Sequence, residues 1–538
     1  MGASSSTEQI PKEQQEIENQ AASTGALPML RNAFSKLSNP QTQTIPLKSL
    51  QDCLTVVITN PINEASPVPE CFPRLVGHLG TSIVDLFFRA DKGGVHWVEF
   101  LRGYIRCCDR MSASMSLNTL YRLYAVTSAK AGHPSKLEFE SDETDGKISG
   151  SLVSADVLML LWICWIMFQS SRYLKSSKGQ AKIDLPDIKH LILSAVTSCA
   201  ELGNDLNIWD CSISSLEFEL PAGKFHMWAL KTVPNLVQCF NQFVHNRLQR
   251  CVLLEDKLEP SSYSVGDISL REVYDRHLLT SGRAWAISLT LRSNLSEEIL
   301  RPFFPGSNDE TFENLIYRSS LHGKGLNRFW SNIEGYNGSL LMLVCASSGG
   351  AHEGITNVGR WVIGVVTQQG FENKEIFYGS SGYLYAISPI FQVFSPSGKE
   401  KNFVYSHLLP SGGVYQSNPK PVGIAFGGTI ENERIFIDED FSRVTIRHHA
   451  VDKSYQPGSL VPNQGYLPLE ASILEVEVWG LSGQKAKEEQ ITYKKREQLF
   501  TEQRRKVDLK TFASWDDSPE KMMMDMMSDP NSVRREDR

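Results

Sequence analysis

The stretch Ile473-Leu-Glu-Val-Glu-Val-Trp479 sets Leu474, Val476 and Val478 against Glu475 and Glu477. Successive side chains on a strand point to opposite faces, so this period of two predicts a strand with one buried face. Working outward, other short β-rich runs recur: LLMLVCA (340–346), WVIGVVT (361–367), YLYAI (383–387) and VGIAF (422–426). Each is bounded by Gly, Ser, Asn or Pro, the residues that end strands. Short strands repeated this way from about residue 270 onward predict an antiparallel β-sandwich covered by one or two helices.

The preceding half reads differently. Ile188, Leu191, Ile192, Ala195, Val196 and Cys199 form one apolar helical stripe, opened by Pro186. A second stripe, Leu236, Val237, Phe240, Phe243, Val244 and Leu248, starts after the helix-breaking Pro234. Residues 27–255 are therefore expected to be all helical, with 131–141 and 175–182 as connecting loops, giving an α+β chain overall. The most apolar run, 157–168, has 12 residues, against about 20 for a membrane span. It is expected to be a core helix. A length of 538 residues points to two or three domains. The net charge of −7 argues against nucleic-acid binding. Ten cysteines scattered without a CxxC pair read as reduced cytosolic thiols.

Both ends carry a signal. MGASSS fits the myristoylation pattern, with Gly2 as acceptor and Ser6 at the favoured position, on a leader (1–26) expected to be disordered. One acyl chain holds a membrane only marginally, so a second contact is needed. Near the other end, 484–506 holds eight basic and four acidic residues, net +4. Ile491, Leu499 and Phe500 make too thin a stripe to bury such a helix on its own domain. It is expected to form a polar helix that docks on a partner through Lys494, Lys495, Arg496, Arg504, Arg505 and Lys506. Residues 507–538 are expected to be a disordered tail.

Two loops resemble calcium-binding EF-hands in shape. In 88–99, Gly93 falls at the turn, Val95 at the apolar eighth position and Glu99 at the twelfth, but Phe88, Ala90 and Lys92 occupy ligand positions. In 141–152, Ser141, Glu143 and Asp145 are ligand-like, whereas Leu152 stands where a bidentate carboxylate belongs. Glu99, Glu143 and Asp145 are weak metal candidates, and no cofactor is expected. No nucleophile elbow, HExxH or phosphate loop occurs. His322, His448 and His449 lack an acid or nucleophile at a telling spacing.

In the β-rich half NLIYRSSLHGKGLNRFW (314–330) is followed in order by GSLLMLVCASSG, VIGVVTQQGF, IFYGSSGYLYAISP, GIAFGG and LEVEVWG. This ordered set resembles the TLDc family. The resemblance covers 275–480 strongly and 27–255 weakly. With the MGxxxS start it points to the N-myristoylated, lysosome-associated, mTOR-linked subgroup. Gly364, Gly379, Gly382, Gly427, Gly428 and Trp479 are its fold-motif positions here. The resemblance implies a β-sandwich without catalytic residues, resistance to oxidative stress, and binding to the vacuolar-type proton ATPase. Many members carry a glutamate within the segment matching YGSSGYLY. Ser380, Ser381 and Gly382 stand there instead, so a role resting on that carboxylate is not inherited.

These readings converge on a non-catalytic adaptor, cytoplasmic and peripheral to lysosomal or vacuolar membranes. Two rivals are a calcium-responsive switch and a peroxide-handling or hydrolytic enzyme. Cys345 would be the enzyme's thiol, but it sits in an apolar strand that disfavours its thiolate.

Overall fold

A computed structural model describes residues 12–56, 68–90, 94–108, 111–141, 147–173, 185–200, 207–209, 211–212, 218–253, 277–304, 314–348, 359–409, 419–515, 521 and 523. Its first half is mainly helical. The apolar run lies in the helix Ser154–Tyr173, where residues 157–168 are all buried. Ser154–Arg172 is long and apolar enough to cross a membrane, and 94% of that window lies inside the protein. Both predicted stripes lie on core helices, Lys189–Cys199 and Gln238–Leu253. Burying each such aliphatic side chain contributes roughly 1.5–3 kcal/mol, which outweighs weak local propensity.

Three expectations for this half are corrected. It is not all helical: strands β1 (Lys136–Phe139), β2 (Ile148–Val153) and β3 (Glu219–Pro221) form a small antiparallel sheet. The 141–152 stretch, expected to resemble an EF-hand in shape, ends in strand β2 instead. Its end pairs with β1 as a hairpin, Leu152 is core, and Glu143, Asp145 and Gly146 lie outside the described residues. Nor does the leader run to residue 26. Lys12–Ser23 is a helix whose Glu18 accepts a 2.8 Å bond from Trp97 Nε1, while Gly2 lies outside the described residues.

Two helix–loop–helix units pack side by side here, Leu27–Leu37 with Leu47–Leu54 and Leu79–Phe87 with Trp97–Cys108. Their loops are joined by a two-way backbone bridge, Ile45 N–H to Val95 O and Val95 N–H to Ile45 O, both 2.9 Å. Gly94 is required at this crossing: its φ is +118°, and a Cβ would stand 2.5 Å from Ile45 O.

The second half holds strands β4 (Leu315–Arg318), β5 (Leu340–Ser348), β6 (Gly359–Thr367), β7 (Lys374–Tyr378), β8 (Gly382–Ser388), β9 (Gln392–Phe394), β10 (Val404–His407), β11 (Gly423–Thr429), β12 (Asn432–Asp438), β13 (Arg443–Ile446) and β14 (Leu469–Gly480). They build one continuous antiparallel sheet in the order β7-β10-β11-β12-β13-β14-β5-β6-β8-β9, with β4 added on β14. The expected pair of separate sheets is thus a single sheet curled on itself. Leu340, Met342, Val344, Ile363, Val365 and Leu384 face the core inside the curl. Leu341, Leu343, Cys345, Val362, Val366 and Ile387 face the other way and join the core of the helical half. Strands buried on both faces read as continuous apolar runs, which is why LLMLVCA shows no alternation.

β14 alternates, but not in the expected frame. Its pairing with β5 slips between Ile473 and Glu475, a β-bulge that leaves Leu474 45% exposed. Beyond the bulge Val476 and Val478 point into the curl, while Glu477 and Trp479 are buried on the opposite face. One buried face was expected, and the strand has two.

Candidate functional site

The strand's second face carries a buried carboxylate. Glu477 is fully enclosed and accepts bonds from Leu278 N–H (2.9 Å), Leu279 N–H (3.3 Å) and Trp479 Nε1–H (3.1 Å). His277 Nδ1 lies 3.2 Å and Arg318 Nε 3.6 Å from Oε1. A buried carboxylate persists when its lone pairs are matched by donors and charge, as here. Glu477 thereby ties the segment entering the second half to the centre of the sheet. Glu475, two residues back, binds Ser319 Oγ–H (2.5 Å) and Ser320 N–H (2.9 Å). Burial pushes its carboxyl up, but the Ser319 and Ser320 bonds and the Arg318 charge together hold it below the usual range. No sequence signal distinguishes these glutamates from solvent-facing ones, because the packing of the segment at Leu278 and Leu279 on this face decides that Glu477 is buried.

The motif glycines surround two rings. Gly379 and Gly382 lie against Phe403, while Gly382 and Gly427 lie against Tyr455. Phe403 and Tyr455 meet edge to face at 5.3 Å. Gly427 and Gly428 have the expected positive φ (+69° and +80°), yet they lie inside β11 and not in a turn after it. Gly364, on β6, leaves room for Ile387 and Leu343. Beside Tyr455, the buried Arg434 pairs with Asp452 Oδ2 at 3.0 Å and donates to Gln456 O and Gly458 O. These residues are fold determinants around a packed aromatic niche.

The histidines hold structural positions. His322 Nδ1 accepts the Arg318 N–H at 2.9 Å, and His448 stacks on Tyr466 with ring centroids 5.0 Å apart. His449 is buried with Nδ1 3.8 Å from Asp452 Oδ2. Glu99 lies on a helix and pairs with Arg102. Cys345 is fully buried, with Arg360 Nε donating to its sulfur at 3.0 Å.

Among the described residues, the C-terminal helix presents an extended exposed surface. It spans Gly483–Trp515, longer than the expected 484–506, so residues 507–515 are helix and not tail. Its 33 residues extend about 50 Å at 1.5 Å each. Contrary to expectation, its first three turns pack on their own domain. Ala486 and Gln490 are buried, and Gln490 Nε2 donates to Asn332 O (2.8 Å) and Glu334 O (3.2 Å). Tyr493 donates to Glu334 Oε1 (3.1 Å), and Lys494 Nζ donates to Asn332 O at 2.7 Å. Lys494 is thus an anchor: burial lowers its ammonium, partly opposed by Glu334. From 495 to 506 every side chain is exposed. This part carries Lys495, Arg496, Arg504, Arg505 and Lys506 against Glu497 and Glu502, a net of 5 − 2 = +3. Leu499 and Phe500 are 60% and 54% exposed, with Arg504 5.2 Å over the Phe500 ring.

Comparison with known proteins agrees with this architecture. Residues 290–482 match the TLDc domain family. The restriction of telomere capping protein 5 of Kluyveromyces lactis is 27% identical over 145 residues, covering 26% of this chain and 25% of its own. The protein of that name from Zygosaccharomyces rouxii is 27% identical over 141 residues, with the same coverage. The match thus spans about a quarter of the length of these curated relatives. The curled sheet with its flanking helices, residues 290–482, is a TLDc domain.

Proposed function

We propose that this chain is a non-catalytic docking protein whose projecting C-terminal helix binds an acidic protein surface, with the vacuolar-type proton ATPase as the expected partner. TLDc proteins are generally regulators linked to oxidative-stress resistance, which fits a binding role. The observation that carries the reading is the two-part helix. Its first turns are fixed on the domain, while 495–506 presents a basic, partly apolar surface that its own core leaves uncovered. A helix held rigidly at one end loses little entropy on docking, and its charge steers it to an acidic partner. Gly2 acylation supplies the second, membrane contact and places the protein on endomembranes. The test is capture of the detergent-solubilised proton pump by the full chain and by a chain ending at Lys494, across a salt series. The full chain should capture more at low salt, with the difference shrinking as salt rises, since screening reaches about 8 Å at physiological ionic strength. Equal capture throughout would refute this role. Gly2→Ala should move protein from membrane to soluble fractions, and unchanged fractionation would remove the acyl contact.

We also read the two bridged loops as an EF-hand-like pair that serves as scaffold. Aligning Ile45 with Val95 at the eighth position places the first loop at 38–49. Its ligand positions then hold Ser38, Pro40, Thr42 and Ser49, none a carboxylate. Gln43 takes the left-handed turn (φ +53°) usually given to glycine, so no motif betrayed this loop. Calcium needs six or more oxygens, which neither loop offers. Calorimetry should show no micromolar Ca²⁺ isotherm, and one would restore the switch reading.

A further inference from the structure

The helical half brings together two thiols that are 198 positions apart. Cys53 Sγ, at the end of helix Leu47–Leu54, lies 2.7 Å from Cys251 Sγ, at the end of helix Gln238–Leu253. Both sulfurs also approach the same carbonyl, Arg247 O, at 3.5 and 3.4 Å. The two helices pack directly, and on the neighbouring helix Leu27–Leu37 Lys36 Nζ donates to Val252 O (2.7 Å). Both cysteines are only partly buried, unlike Cys107, Cys164, Cys239 and Cys345. A disulfide bond is about 2.05 Å long, so a small side-chain movement closes the gap.

We propose that Cys53 and Cys251 are a reversible redox site, oxidised by a hydroperoxide to an intramolecular disulfide. This goes beyond the docking reading and does not depend on it. The two thiols share one S–H···S contact, and the Arg247 and Arg250 charges favour a thiolate at the pair against the effect of burial. One sulfur of the pair attacks and the other resolves the product, and the chemistry is the same either way round. With Cys251 attacking, its thiolate forms an S–O bond to the hydroperoxide as the O–O bond breaks. The alcohol or water leaves after taking up a proton, and Cys251 becomes a sulfenic acid. Cys53 sulfur then displaces its hydroxyl, which departs as water with the Cys53 proton, closing the S–S bond. Two thiols lose two electrons, and the peroxide is reduced.

The test treats the reduced full chain with hydrogen peroxide, quenches it, alkylates free thiols and maps peptides. The expected product is a Cys53–Cys251 linked peptide, about 2 Da lighter than the two reduced peptides together, that dithiothreitol reverses. The closed ring is large, so the oxidised chain should melt about 5 °C or more higher than the reduced one. In Cys53→Ser and in Cys251→Ser no linked peptide should form, and dimedone should trap a sulfenic acid in at least one of the two. The wild-type map needs no variant and decides the matter alone. If Cys53 and Cys251 both stay free while other cysteines oxidise, or are linked to different partners, the proposal is overturned.

Discussion

Replacing Glu477 by Gln tests whether the buried carboxylate holds the two halves of the chain together. The amide matches the carboxylate in shape, but one oxygen becomes an NH₂ donor. Oε1 binds Leu278 N–H, while Oε2 serves both Leu279 N–H and Trp479 Nε1–H. Whichever way the amide turns, its NH₂ meets at least one buried donor. Each donor left unpaired costs about 1–3 kcal/mol. The negative charge facing Arg318 and His277 is lost as well, and breaking a buried pair costs about 3–5 kcal/mol. A total loss of about 4–8 kcal/mol is expected, a fall in Tm of at least about 8 °C for a unit of this size. The assay is thermal unfolding together with hydrogen exchange resolved to Leu278 and Leu279, whose amides should lose protection before the sheet does. A Tm within 2 °C of wild type (roughly 1 kcal/mol or less) with unchanged protection of both amides would refute the reasoning.

Truncation after Gly480 should lower domain stability by about 2–3 kcal/mol, because Gln490 and Lys494 lose three bonds to Asn332 and Glu334. Ending the chain at Lys494 should leave Tm unchanged, and urea melts of the two chains separate these outcomes. Gly427→Val should cost about 2–4 kcal/mol, since a branched side chain at φ +69° meets Tyr455 at 3.1 Å. An unaltered melting curve would show that the niche can relax. Burial lowers His190 to about 3 and also lowers His226, His245 and His449. Groups kept neutral on folding contribute stability that is complete above their unfolded pKa, near 6.5, and lost as pH falls towards the folded value. The urea midpoint should therefore fall from pH 7 to pH 5. His190→Gln should flatten that slope by about one proton, and an identical slope would sink the assignment.

Local pattern alone determined the class of each half. The stripes at 188–199 and 236–248 and the apolar run at 157–168 were legible as core helices, because a helix buries a face that its own 3.6-residue period marks. The β-rich runs and the TLDc order were equally legible, since strand chemistry is short-range, whereas Gly427 and Gly428 read as a turn and lie inside β11. Tertiary structure decided the rest. A one-residue bulge put Leu474 out of the buried frame, and the segment at Leu278 and Leu279 covered the second face of β14 and buried Glu477, neither of which local propensity encodes. The first bridged loop stayed hidden because it has neither carboxylates nor the usual glycine, and only its backbone pairing with Val95 reveals it. The same holds for Cys53 and Cys251, two unremarkable positions in the chain until the packing of two helices brings their sulfurs to 2.7 Å. The C-terminal helix divides the same way. Its charge and thin apolar stripe were readable, but its point of anchorage depended on Asn332 and Glu334, more than 150 residues away, whose carbonyls Gln490 reaches only in the folded chain.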